Sequence, residues 1–127
     1  MKDTIGDMAW LDLTVPNASQ VKDFYQEVIG WKSEACSMGD YEDYTMLNAI
    51  TGDATAGVCH TTGVNADLPP VWIPYFLVAD IEQSVTAVKS KGGALLTDIK
   101  SMGNDKYVMI KDPAGAICSL YQKSEAS

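Results

Sequence analysis

"DFYQEVIGWKSE" (residues 23–34) carries apolar side chains at helical spacing up to Gly30 and then turns into a segment that reads as a strand. "AVKSKGGALLTD" (87–98) follows the same plan of helical run, glycine stop and strand start. The fold depends on whether these are two copies of one unit. Val15 and Val78, Gln20 and Gln83, Gly30 and Gly93, Tyr44 and Tyr107, and Met46 and Met109 are identical pairs, all 63 apart (78 minus 15, and so on). Toward the end of each copy the offset becomes 59, aligning "GVCH" (57–60) with "AICS" (116–119). Four more residues (63 minus 59) are then expected in the first copy's turn around "AITGDAT". "GVNADLPP" (63–70), dense in breaker residues, reads as a linker between half-units of about 8–62 and 71–122.

Each copy reads strand, helix, strand, strand, strand. "MAWLDLTV" (8–15) alternates, with Leu11, Leu13 and Val15 on one face and Trp10, Asp12 and Thr14 on the other. Asn17 is placed to cap a helix over about 18–29, on which Ala18, Val21, Phe24, Tyr25 and Val28 form an apolar stripe and Gly30 supplies the stop. The greasy face of the first strand is the natural partner of that stripe, so Trp10, Asp12 and Thr14 should face away from the helix. Strands are expected near 31–37, 41–49 and 55–62. In the second copy the plan repeats as "WIPYFLVAD", a helix over about 81–91, and strands near 94–100, 105–111 and 115–122.

With 127 residues, 46% of them hydrophobic, the chain is sized for a single domain spanning 1–127. A net charge of -8 with scattered lysines argues against nucleic acid. No apolar run approaches the roughly 20 residues of a membrane span, and Cys36, Cys59 and Cys118 are an odd number without C-x-x-C spacing. A cytoplasmic protein with reduced thiols, no membrane contact and no cofactor is expected. "GDYEDY" (39–44) reads as a hairpin turn with solvated charges. There is no P-loop, dinucleotide fingerprint or G-x-S-x-G elbow.

Two successive βαβββ units, with F-Y-x-x-x-x-G-W closing the first helix and D-P-x-G-x-x-x-x-L in the last strand, resemble the vicinal oxygen chelate superfamily (glyoxalase, bleomycin resistance protein, dioxygenase). The resemblance implies an α+β fold in which tandem βαβββ units form a curved mixed sheet around a cavity, and assembly as a homodimer. Metal-dependent members place a His or Glu on the first and last strand of each unit. By register those positions fall here on Trp10 and His60, and on Ile73 and Ser119, of which only His60 is a good ligand. The expectation is therefore a chain without the metal site.

The resemblance also makes first and last strands neighbours, which would bring Asp12 and His60 into hydrogen-bonding reach as an acid-base pair. Trp10, Thr14, Ile73, Tyr75, Ser119 and Tyr121 are the expected ligand-binding residues beside that pair, an aromatic lining suited to a small amphipathic or aromatic molecule. Cys59 and Cys118 alternate with these residues and should lie under the helices. Two functions stay open. One is a small-molecule-binding module without metal; the other is a glyoxalase-like lyase or isomerase using His60 and Asp12, with or without a recruited metal.

Overall fold

The structure, a computed structural model, describes residues 4–62 and 68–124. The linker reading at 63–70 falls partly outside these. The chain divides into two compact units, Leu11–Trp72 and Met1–Trp10 with Ile73–Ser127. No described helix is long and apolar enough to cross a membrane.

The unit Leu11–Trp72 holds most of β1 (Met8–Val15), then α1 (Ala18–Ile29), β2 (Lys32–Ser37), β3 (Glu42–Leu47) and β4 (Ala54–His60). Its strands lie in the order β2-β3-β4-β1, antiparallel except for the parallel β4–β1 pair. Leu13, Val15, Met46 and Val58 point to one face, where Ala18 from α1 completes a buried cluster flanked by Val21, Tyr25, Trp31, Tyr44 and Trp72. The period-two alternation of β1 thus meets Ala18, Val21 and Tyr25 of the helical stripe, whereas Phe24 and Val28, expected in the same stripe, are exposed. Gly30 ends α1 in the left-handed conformation (φ 88), its N–H returning to the Gln26 carbonyl. Asn17 stands at the N-cap position, but its side chain bonds Gln20 and caps no amide.

The other unit holds β5 (Trp72–Leu77, from Ile73 on), α2 (Ile81–Ser90), β6 (Ala94–Leu95), β7 (Lys100–Met102), β8 (Asp105–Lys111) and β9 (Ile117–Gln122). β5 and β9 are parallel; β8 runs antiparallel to β9, β6 and β7. Ile81, Val108, Ile110 and Leu120 form its helix-side core, with Val78, Val85, Val88, Leu95, Ile99 and Cys118 against it. Asp80 caps α2 through the amides of Glu82 and Gln83. Gly93 is demanded by proximity: a Cβ there would sit 2.7 Å from the Lys111 carbonyl oxygen and 2.9 Å from a Val88 methyl.

Two details depart from the sequence reading. The strand expected over 94–100 is two short pieces, because the amides of Leu96 and Thr97 both donate to the Met109 carbonyl while the Thr97 hydroxyl accepts the Met109 N–H. Two successive amides on one acceptor form a bulge that separates the two pieces. Tyr44 and Tyr107 are also not equivalent. Tyr44 lies toward α1, its hydroxyl 2.7 Å from Ser19 Oγ, whereas Tyr107 lies on the face away from α2. Met46 and Met109 differ in the same way.

Candidate functional site

In the unit Leu11–Trp72 the parallel register sets Asp12 opposite Gly57, Thr14 opposite Cys59, and Val15 opposite His60. Val15 and Val58 belong to the helix-side core, so His60, two residues beyond Val58, leaves the sheet on the helix side, and Asp12 and Thr14 leave it on the other. The expected Asp12–His60 pair is therefore not assembled. In the other unit Tyr75, the counterpart of Asp12, stands opposite Ser119. The equivalent of Ser119 is thus Gly57, not His60. Matching "GVCH" to "AICS" used an offset of 59 where the register gives 62 (119 minus 57), and a shift by an odd number of residues exchanges faces.

His60 has its own surroundings. Its Nδ1 donates to the Glu42 carbonyl at 2.7 Å, which places the lone pair of the neutral ring on Nε2. Tyr41 and Tyr44 flank the ring at centroid distances of 5.7 and 6.3 Å. Asp43 accepts the His60 backbone N–H at 2.9 Å, with Nδ1 a further 3.7 Å from the same oxygen. This carboxylate, read as a solvated turn residue, instead secures the end of β4. Its position between apolar-facing Tyr44 and the turn was the available signal.

Cys59 follows from the same correction. It shares the face of Asp12 and Thr14 rather than lying under α1. Burial raises its thiol pKa far above the ordinary range, and the Asp12 and Asp43 carboxylates add to the shift. Cys118 packs against the helix-side core as expected.

The unit containing β5 gathers the expected aromatic residues. Tyr75 and Tyr121 meet with ring centroids 6.4 Å apart, and Tyr107 lies 6.4 Å from Tyr75. Tyr107 is paired directly across the ladder with Tyr121. Ile73, Tyr75, Met109 and Ser119 are buried; Tyr107 and Tyr121 are half-buried. The Ser119 hydroxyl donates to the Val108 carbonyl at 3.2 Å, so it is already engaged. Tyr121 donates a short hydrogen bond to Asp105, which also accepts the Ser124 N–H. Burial and this carboxylate push the Tyr121 phenol up to about 12. Trp10 is half-buried near the start of β1, in this same unit. Tyr107 and Asp105 were missed as site residues: the positions singled out lay on the first and last strands of each half-unit, and both of these residues lie on β8.

A family model described as the Glyoxalase/Bleomycin resistance protein/Dioxygenase superfamily matches residues 7–118. The chain belongs to this superfamily. Curated relatives include the putative glyoxylase CFP32 of Mycobacterium tuberculosis (strain CDC 1551 / Oshkosh), 27% identical over 119 residues that cover 92% of this chain and 46% of that protein. The anthracycline biosynthesis protein DnrV of Streptomyces peucetius is 27% identical over 131 residues, covering 93% and 47%. The chain spans about half the length of these relatives. Among solved structures, a superfamily member from Vibrio splendidus 12B01 matches with TM-score 0.59 and 18% identity over 90% of this chain and 97% of its own. Methylmalonyl-CoA epimerase from Mycobacterium tuberculosis matches with TM-score 0.60 and 15% identity over 98% and 94%. These similarities extend the superfamily fold to the chain.

Metal-dependent chemistry in this superfamily needs a ligand set, and a catalytic divalent ion takes about three protein ligands. Among the described residues no three His, Cys, Asp or Glu side chains converge to hold a metal ion.

Proposed function

We propose that this superfamily member binds a small planar organic molecule without a divalent metal, on the sheet face away from α2. The observation that carries this is the gathering of Tyr75, Tyr107 and Tyr121 on one face, with centroid separations of 6.4 Å. Tyr75 packs edge-on against Tyr121 and tilted against Tyr107, which leaves the half-buried Tyr107 and Tyr121 rings to meet a ligand; aromatic contacts contribute about 0.5–1.5 kcal/mol each beyond area burial. Tyr75, Ile73, Met109 and Ser119 form the buried floor; Tyr107 and Tyr121 form the half-buried rim. The name of one relative, an anthracycline biosynthesis protein, supports the reading, since fused planar rings stack well on tyrosine. The enzymatic alternative depended on Asp12 and His60 acting together, and their opposite orientations remove its support.

The test is calorimetric titration with 2-naphthamide, a neutral planar probe, in the presence of EDTA. Binding should survive the chelator, and Tyr107→Ala or Tyr121→Ala should each weaken it about threefold to tenfold. Unchanged affinity in both variants, or binding abolished by EDTA, would contradict the proposal.

A further inference from the structure

We infer that Lys100 makes this face selective for an anionic aromatic ligand, a planar ring system bearing a carboxylate or a similarly placed negative oxygen. The inference rests on the proposed tyrosine site and specifies its substrate class.

The antiparallel register of β7 and β8 sets Lys100 directly opposite Tyr107, and that of β8 and β9 sets Tyr107 directly opposite Tyr121. Directly opposed residues project from the same side of the sheet, with Cβ atoms about 5 Å apart. Lys100, Tyr107 and Tyr121 therefore form one continuous row across three strands, with Tyr75 in ring contact behind it. All three members of the row are half-buried; a half-buried lysine lays its stem along the neighbouring surface and holds its ammonium at the solvent edge, where a carboxylate of the chain could pair with it.

The composition makes that partner easy to supply, with 17 acidic residues against nine basic ones. Yet the ion pairs among the described residues are Lys22–Asp23 and His60–Asp43, and neither involves Lys100. The nearest acid along the row is Asp105, opposite Met102 on β7. Its two oxygens are engaged by Tyr121 and the Ser124 amide on the β9 side, away from β7. Asp105 thus fixes the Tyr121 ring, and Lys100 keeps its positive charge for a ligand. An ammonium at the edge of a tyrosine platform meets the acidic substituent of a molecule whose ring lies on the tyrosines. In a chain of net charge -8, a neutral rim would repel such a molecule, so the lysine decides between an acid and its amide.

The experiment compares 2-naphthoate with 2-naphthamide by titration calorimetry at pH 7, using the full chain, Lys100→Met, and Lys32→Met as a control on the other unit. The full chain should bind the naphthoate about fivefold more tightly than the amide. Lys100→Met should abolish that preference, the two probes then binding with equal affinity, and retained binding of the amide also reports that the variant is folded. Lys32→Met should keep the preference. Equal affinity for both probes in the full chain, or a preference that persists in Lys100→Met, would overturn the inference and leave the tyrosine site standing. Failure of both probes to bind would overturn the site and the inference together.

Discussion

Tyr121 and Cys59 illustrate how single positions set testable chemistry. Burial, and then the Asp105 carboxylate, raise the Tyr121 phenol to about 12, against about 10 in an unfolded chain. Between those values the folded state holds a proton that the unfolded state has lost, so stability falls as pH rises from about 10 to 12 and is unaffected by this group below 10. Asp105→Asn should lower the phenol titration followed at 295 nm toward 10; an unmoved titration would detach Tyr121 from Asp105. For the cysteines, thiolate is the reactive form. Cys36 is exposed, whereas the Cys59 and Cys118 thiols are shifted upward, chiefly by burial. Disulfide-exchange reagent at pH 8 should label Cys36 first and the other two only on denaturation. Rapid labelling of Cys59 would contradict its position between Asp12 and Asp43. At this scale the sequence was only half informative. Alternation in β1 correctly separated Leu13 and Val15 from Asp12 and Thr14, but no residue type announces a bulge. The face of His60 depended on how β4 pairs with β1 and β3, which no local signal gives.

The elements were more legible, because helix signals are local. The apolar stripe and Gly30 bounded α1, whereas the Asp80 cap at the start of α2 was not singled out in the sequence, although a cap is a bond between neighbours in sequence. The caps are nevertheless unequal. Asp80→Ala removes two side-chain bonds to amides and should cost about 1 kcal/mol in denaturant unfolding, while Asn17→Ala should cost less than about 0.5 kcal/mol because its side chain caps nothing. Equal losses would show that the helix starts are alike after all. Gly93→Ala forces a methyl against the Lys111 carbonyl and should cost about 1–3 kcal/mol. That requirement was hidden in the sequence, where Gly93 looked like a second Gly30. Gly30 is chosen for its positive φ, and in the α2 turn that conformation belongs to Gly92. Strand ends and bulges were illegible because they depend on partners distant in the chain.

For the whole molecule, the superfamily could be read from two spaced motifs and the family model agrees, but the ligand could not, because the relevant row joins Lys100, Tyr107 and Tyr121 from three strands. β2 lies at the end of its unit's strand order and is largely exposed. An open edge of this kind favours pairing with another chain, so light scattering at micromolar concentration should give twice the chain mass of 13.7 kDa; a monomer would count against that assembly. The position of the ligand can be located by titrating 15N-labelled protein with 2-naphthoate in the presence of EDTA and following the backbone amides. Shifts should concentrate at Lys100, Tyr107, Ser119 and Tyr121. Shifts concentrated instead around Tyr41, Tyr44 and His60, or none at all, would contradict that position.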